Sequence, residues 1–230
     1  MRIDIVTLFP KMCEDVMSES IIGNARRANV IEVYTHNIRD YADDKHNRVD
    51  GYPYGGGPGM LLRPEPIYRC ISKIKAELKE LNPHVIYMSP KGATLNQQKV
   101  LKLKELKSII ILAGHYEGVD QRVLDVVVDE EISIGDYVLT GGELPALILA
   151  DAILRCVPGV LASDECFLNE SHVNGMLEHA QYTKPENWHG FRVPKVLLSG
   201  NHQQIENWQK TSAQKITAQN RPDLLNNKEQ

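Results

Sequence analysis

Along the first 160 residues, segments with the apolar pattern of strands alternate with segments that have the apolar spacing of helices. Short runs rich in β-branched residues predict strands. These runs cover residues 3–9, 30–34, 84–88 and 108–113, and residues 126–134 are also predicted to be extended. Spacings of three and four residues predict helices between them. The predicted helices cover residues 10–28, 64–81, 96–106, 119–125 and 144–157. This alternation predicts an α/β fold with a mostly parallel sheet covered by helices.

The pattern changes after the helix predicted at residues 144–157, which Pro158 and Gly159 close. Residues 160–185 are polar and rich in turn-forming residues, which is typical of a linker. Helical spacing returns from about Asn201. We therefore predict three parts in the chain. They are a ligand-binding domain over residues 1–159, a flexible interdomain linker over residues 160–185 and a small helical domain over residues 186–230.

Composition and charge exclude several classes of protein. With 42% hydrophobic and 24% charged residues, the chain is globular and not disordered or collagen-like. A formal net charge of −4 excludes a uniformly basic coat for nucleic acid. Residues 67–107 nevertheless hold nine Lys/Arg against three Glu. This local excess is typical of solvated helix faces, and the alternative is a footprint for phosphate groups.

The chain also lacks the patterns of membrane, secreted and metal-binding proteins. No apolar run approaches the roughly 20 residues that a membrane helix needs. Asp4 and Pro10 interrupt any secretion signal. The four cysteines are scattered without a CxxC pair, and the eight histidines show no zinc spacing. We therefore expect a cytoplasmic protein with reduced thiols, no membrane partner and no metal site.

Three glycine-rich loops carry the candidate chemistry. Residues 53–60 hold four Gly within five positions, so the backbone either approaches a ligand closely or forms a flexible hairpin. Residues 114–120 directly follow a predicted strand, where α/β sheets bind ligands, although a plain strand-to-helix turn is the alternative. Residues 133–145 lead into the strongest predicted helix. Together with the strand exit at residues 87–92, the second and third loops predict one ligand site at one edge of the sheet.

Signatures of other nucleotide-dependent enzymes are missing from the sequence. Met60 stands where the last Gly of GxGxxG belongs, and this loop does not follow a strand. There is no Walker A loop, and the segment that ends at Gly135 lacks the first Gly of a nucleophile elbow. A nucleotide-dependent oxidoreductase is therefore disfavoured.

Three segments in this order resemble the bacterial tRNA (guanine-N1)-methyltransferase family, TrmD. They are YGGGPGM (residues 54–60), GHYEGVDQRV (residues 114–123) and SIGDYVLTGGELPA (residues 133–146). The likeness runs from Ile3 to about Leu225. It implies a SPOUT-type parallel sheet with a deep trefoil knot, a helical C-terminal domain that binds tRNA, and a homodimer whose active site is shared between chains. It further implies that S-adenosylmethionine donates a methyl group to N1 of the guanosine at tRNA position 37, just 3′ of the anticodon.

The resemblance also assigns roles to individual residues. Arg155 matches the family's catalytic arginine, and Glu170 matches its linker carboxylate, the general base. In that mechanism Glu170 removes the N1 proton and Arg155 stabilises the charge that grows on O6 of the base. The implied donor pocket consists of Tyr87, Ser89, Pro90, Gly114, Tyr116, Glu117, Ser133, Ile134, Gly135, Tyr137, Leu139, Gly141, Gly142 and Pro145. No metal ligand is among these residues, and a magnesium requirement is left open.

The linker departs from the family pattern at several positions. The chain has Glu170-Ser171-His172 where the family has Asp-Ser-Phe. Within residues 177–185, Glu178, Gln181 and Lys184 stand where the family has Asp, His and Arg. Lys184 cannot reproduce a bidentate arginine contact. Two alternatives therefore stay open: a SPOUT enzyme with another RNA target, and an RNA-binding protein of this fold without catalysis.

Overall fold

The computed structural model describes residues 1–163, 167 and 170–226 of the chain. The chain divides into two compact units, Met1–Ser163 and Asp164–Gln230. The assignment of residues 1–159 to donor binding, of residues 160–185 to a flexible linker and of residues 186–230 to tRNA binding stays a prediction. None of the helices in the described ranges is both long and apolar enough to cross a membrane.

Seven strands belong to the first unit. They are β1 (Arg2–Thr7), β2 (Glu32–Asn37), β3 (Asp50–Gly51), β4 (Leu61–Leu62), β5 (His84–Thr94), β6 (Ser108–Ala113) and β7 (Glu130–Ser133). β3 and β4 pair antiparallel, and the other five form one parallel sheet in the order β2-β1-β6-β5-β7. Every residue of β6 is buried, as expected for a central parallel strand that is covered on both faces. The predicted parallel α/β sheet is confirmed.

Six helices cover this sheet. They are α1 (Pro10–Met17), α2 (Ser20–Arg27), α3 (Pro64–Glu77), α4 (Gln97–Leu103), α5 (Gln121–Val127) and α6 (Glu143–Leu154). Pro64 begins α3 at a position where its missing N–H costs nothing. Asn96 and Asp120 cap α4 and α5, because each side chain accepts a hydrogen bond from a backbone N–H of the first turn. The largely buried α6 contacts β1, β6, α1 and α4.

The single helix predicted for residues 10–28 is wrong, because the structure has two helices there. Ser20 adopts a left-handed backbone conformation with φ of 54° at the break. The second helix approaches the first so closely that a Cβ on Gly23 would lie 2.0 Å from the carbonyl oxygen of Ser18. The apolar spacing continues across the break, so the sequence pattern does not reveal it.

Three other boundaries also differ from the prediction. The segment between residues 34 and 64, for which no strand was predicted, contains β3 and β4, which pair as a hairpin. β5 continues to Thr94, with an irregular register opposite β7 between Met88 and Ala93. α5 extends to Val127, so only Glu130–Ser133 of the predicted extended segment is a strand.

The second unit is small, and in its described part helices are the longest regular elements. A short hairpin pairs β8 (Asn187–Trp188) with β9 (Phe191–Arg192), and a 3-10 turn follows at Lys195–Leu198. Two helices follow the turn, α7 (His202–Asn220) and α8 (Asp223–Asn226). The side chain of Asn201 caps α7 by accepting a hydrogen bond from the Gln204 N–H. The predicted helical segment from about Asn201 is confirmed.

Candidate active site

The strand ends converge at one edge of the main sheet, as the sequence predicted. β5, β6 and β7 are neighbours and run parallel, so their carboxyl ends lie side by side. A cavity of about 450 Å³ opens at these ends. Its walls come from the exit of β5, the loop after β6, and the loop that joins β7 to α6. Parallel sheets bind ligands at this position.

Every residue predicted for the donor pocket lines this cavity except Gly135. Gly135 instead shapes the turn after β7, where it has a φ of 149°. The Ser133 hydroxyl accepts a hydrogen bond from the Gly135 N–H and donates one to the Gly135 carbonyl. A Cβ on Gly135 would lie 2.7 Å from the Tyr137 ring. The residue therefore positions Tyr137 and does not itself contribute to the wall.

Two glycines allow the backbone to close tightly around the cavity. The Gly142 N–H donates a 2.7 Å hydrogen bond to the Gly114 carbonyl, which joins the start of α6 to the end of β6. A Cβ on Gly142 would lie 2.6 Å from the Gly114 nitrogen. A Cβ on Gly114 would lie 2.9 Å from the Tyr87 hydroxyl. Larger residues at either position would displace the elements that form the wall.

The first glycine-rich loop ends against the second. The Glu117 N–H donates to the Met60 carbonyl at 3.0 Å, and the Leu62 N–H donates to the Gly118 carbonyl at 2.9 Å. A Cβ on Gly59 would lie 2.3 Å from the Glu117 side chain. The loop at residues 53–60 and the loop at residues 114–120 therefore pack directly against each other, and Gly59 leaves room for the Glu117 side chain.

Glu131 is a cavity residue that the sequence analysis missed. It lies on β7 beside Tyr87 of β5. Its Oε2 atom is buried and has no hydrogen-bond partner within the described residues. Burial and then the charge of Glu131 raise the pKa of Tyr87 to about 12, so the Tyr87 hydroxyl keeps its proton. The sequence signal that could have identified Glu131 is the alternation of side chains along a strand. Successive residues such as Glu130 and Glu131 point to opposite faces of the sheet.

A second missed group supports the cavity from behind. The Thr7 hydroxyl donates a 2.8 Å hydrogen bond to Oε1 of the buried Glu143. The Nδ1 atom of His115 lies 3.8 Å from Glu143 Oε2. A Cβ on Gly141 would lie 2.5 Å from that same oxygen. The network therefore holds the start of α6 against β1 and the loop after β6.

Comparison with known proteins decides the family. A model of the family described as tRNA (Guanine-1)-methyltransferase, TrmD, matches residues 1–227. The chain belongs to this family. Its five-stranded parallel sheet, with helices on it, is the SPOUT-type fold that the resemblance implied.

Curated relatives of this family are similar over nearly the whole chain, and each carries the name tRNA (guanine-N(1)-)-methyltransferase. The relative from Ruminiclostridium cellulolyticum is 50% identical over 229 residues, which cover 98% of this chain and 97% of the relative. The relative from Clostridioides difficile is 48% identical, over 97% of both chains. The one from Thermosipho africanus is 47% identical over 100% of this chain and 92% of its own length.

The two residues that match the family's catalytic positions belong to different units. Arg155 is the C-terminal cap of α6, where its N–H donates to the Asp151 carbonyl at 3.0 Å. Glu170 belongs to the second unit. Glu178, also in the second unit, accepts hydrogen bonds from Gln181 Nε2 at 2.8 Å and from the Ser171 hydroxyl at 3.5 Å.

Metal-binding groups are not found in the described ranges. No cluster of three or more His, Cys, Asp or Glu with a geometry suited to a metal ion occurs among the residues that the structure describes. Cys13, Cys70 and Cys156 are buried, and burial first of all raises the pKa of Cys13 and of Cys70 to about 12. The thiols of Cys13 and Cys70 are therefore packing groups and not nucleophiles.

Proposed function

We propose that this protein transfers a methyl group from S-adenosylmethionine to N1 of the guanosine at position 37 of tRNA. The observation that carries the proposal is the cavity at the ends of β5, β6 and β7. Its walls combine residues of the second and third family motifs, and the first motif ends against them. The chain that forms it belongs to the tRNA (guanine-1)-methyltransferase family.

The chemistry of the cavity suits this donor. S-adenosylmethionine supplies a methyl group on a positively charged sulfonium, and it also carries an ammonium group. Glu117 and Glu131 line the cavity with carboxylates, and one buried oxygen of Glu131 has no partner within the described part of the chain. The protonated Tyr87 hydroxyl can donate a hydrogen bond. The glycine-bordered loop at residues 133–142 presents backbone groups that can bind an adenosine moiety.

We further propose that Glu170 and Arg155 carry the proton and charge chemistry. Guanine N1 holds a proton and is a poor nucleophile, so its attack on the methyl carbon requires a base that takes this proton. Glu170 accepts the proton as general base while the new N1–carbon bond forms and the carbon–sulfur bond breaks. Negative charge develops at O6 of the base, and the Arg155 guanidinium stabilises it.

A homodimer with a shared active site is part of the proposal. Leu144 and Ile148 are one turn apart on α6, and both are exposed. Val138, in the loop before α6, is also exposed, as are Phe9 and Val16 at α1. Large apolar side chains that stay exposed in one chain favour contact with another chain. A second copy of the chain is the occupant that the proposed shared site requires.

Methyl transfer to a defined RNA tests the proposal. The protein is incubated with radiolabelled S-adenosylmethionine and a tRNA transcript that carries guanosine at positions 36 and 37, and the nucleosides are identified by mass spectrometry. We expect 1-methylguanosine, and none when position 37 is changed to adenosine. Methylation at another nucleoside would indicate another RNA target. Tight tRNA binding without transfer would indicate a binding protein and contradict the proposal.

A further inference from the structure

Two aromatic side chains lie exposed on the hairpin of the second unit. Trp188 and Phe191 are directly opposite each other in the β8–β9 pair, so they share one face of the hairpin. Their ring centroids are 6.4 Å apart, with an interplanar angle of 34°. Trp188 is 62% exposed and Phe191 is 74% exposed. The two rings therefore form an apolar platform, which we call the Trp188–Phe191 platform.

The turn of the hairpin holds this platform in a defined geometry. His189 and Gly190 both have positive φ, 53° and 90°, which is typical of the tight two-residue turn that suits twisted strands. The Asn187 side chain accepts a hydrogen bond from the Gly190 N–H at 3.0 Å. The Val193 N–H closes the hairpin on the Glu186 carbonyl at 2.9 Å.

Cationic residues flank the Trp188–Phe191 platform in the sequence. Lys184, Arg192 and Lys195 lie within residues 182–195, where Glu186 is the only acidic residue. Aromatic rings flanked by cations match the chemistry of single-stranded nucleic acid, because bases stack on rings and phosphates attract Lys and Arg. A protein partner would gain nothing from an excess of positive charge unless its own surface were acidic.

We propose that the Trp188–Phe191 platform stacks against unpaired bases of the tRNA substrate, and that Arg192 contacts a neighbouring phosphate. This inference rests on the proposed function, because it takes the tRNA as the ligand. It adds a base-stacking surface in the second unit, made of residues other than those that line the donor cavity. Stacking on aromatic rings is tolerant of sequence, so the platform supplies affinity and not the choice of guanosine.

Binding to the full-length protein tests the platform. W188A and F191A should each weaken binding of the G36–G37 tRNA transcript by about 10-fold, which is the effect of losing one base–aromatic stack. W188F keeps a ring and should recover most of that loss. The matched control is L198A, which removes an exposed apolar side chain of the same unit outside the hairpin. It should bind tRNA like the wild type.

Salt dependence separates stacking from charge. W188A should leave the slope of log Kd against log salt unchanged, because stacking releases no counterions. R192A should make the slope shallower by about one unit, the signature of one lost phosphate contact. If W188A and F191A change the slope and R192A does not, the assignment is overturned.

Fluorescence reports the contact directly. The chain has two tryptophans, Trp188 and Trp208, and Trp208 is partly buried beside His179 and Tyr182. In W208F protein the remaining emission comes from Trp188. Saturating tRNA should quench that emission and protect it from acrylamide. Emission that tRNA leaves unchanged would overturn the inference.

Kinetics and assembly distinguish this inference from the proposed function. W188A should raise KM for tRNA by about 10-fold and leave kcat and donor binding near wild type.

If the wild type methylates the transcript while W188A and F191A bind it normally, the base-stacking role of the platform is wrong and the proposed function stands. If the wild type transfers no methyl, the proposed function fails. A changed oligomeric state in W188A or F191A, with tRNA binding intact, would assign the platform to a chain–chain contact and overturn the inference.

Discussion

The Thr7 hydroxyl donates a 2.8 Å hydrogen bond to the carboxylate of Glu143, which lies 136 positions later in the chain. Both side chains are buried. The bond joins the end of β1 to the first turn of α6, directly behind the loop that closes the candidate donor cavity. A carboxylate this deep is costly without a donor, so the pair keeps α6 in place.

Removing that donor should destabilise the first unit. Thr7→Val keeps the shape of the side chain and leaves Glu143 Oε1 unsatisfied. We expect the free energy of unfolding to fall by about 1–3 kcal/mol, the cost of a buried acceptor that loses its partner. Urea denaturation measures this change. Thr35→Val, the same substitution in the neighbouring strand β2, is the control and should cost less. Equal losses in the two variants would show that the buried bond is not the cause.

The tight approach of Gly114 to Tyr87 predicts a defect in donor binding. In Gly114→Ala the new Cβ would lie 2.9 Å from the Tyr87 hydroxyl, so the Tyr87 ring, which lines the cavity, must shift. We expect affinity for S-adenosylhomocysteine to fall by about 10-fold, because overpacking of this size costs 1–3 kcal/mol. Calorimetric titration measures it. Gly51→Ala is the matched control, since its Cβ would meet only the Arg63 side chain at 3.5 Å.

Asp4 predicts a loss of stability in acid. Burial by itself raises the pKa of Asp4, but hydrogen bonds from His36 and Arg2 outweigh burial and hold the pKa below its ordinary value. At a pH between the lowered pKa of Asp4 in the folded protein and its ordinary value, the unfolded chain binds more protons than the folded chain. The stabilisation is therefore fully present above a pH of about 4 and is lost as the pH falls below it.

Asp4→Asn tests that dependence. At pH 7 it should lower the free energy of unfolding by about 1.5–3 kcal/mol, since it weakens three hydrogen bonds to a charged group. The gap between wild type and variant should shrink as urea titrations move from pH 5 to pH 2. Asp15→Asn changes an exposed carboxylate paired with Lys11 and should have little effect at any pH. A gap that stays constant with pH would contradict the assignment.

Glu170 is expected to act as the general base. Glu170→Gln keeps the shape of the side chain and removes the proton acceptor, so single-turnover methyl transfer should slow by about 10²–10⁴-fold. Binding of S-adenosylmethionine should stay near wild type, and Glu170→Asp should keep much of the activity. Glu178→Gln is the rival variant. Near-normal transfer by Glu170→Gln together with loss of transfer in Glu178→Gln would reverse the assignment.

A shared active site predicts complementation between inactive chains. Arg155→Ala and Glu170→Ala should each be inactive as homodimers. Mixed dimers should regain part of the activity, because one of their two sites keeps both Arg155 and Glu170. Differently tagged chains, purified in tandem, make the mixed species measurable. Verified mixed dimers without transfer would show that Arg155 and Glu170 act within a single chain.

The sequence by itself determined the class of fold and the family. Apolar runs such as Ser108–Ala113, alternating with helical spacing, require a parallel sheet that is covered on both faces. Glycine-bearing loops after two strands, together with the exit of a third strand, predicted a ligand site at one edge of the sheet, because glycines that permit close backbone approach can be read from the local sequence. The resemblance to the family supplied the individual pocket residues, and all of them but Gly135 line one cavity.

Only the tertiary structure decided which distant groups meet. The break at Ser20 depends on how Gly23 approaches Ser18, and no local pattern encodes that approach. The burial of the Glu131 carboxylate oxygen, which has no hydrogen-bond partner among the described residues, and the Thr7–Glu143 bond depend on how the strands and α6 pack together. Local sequence sets the backbone preference and apolar face of each segment. The partners of a buried polar group are set by packing across the whole domain.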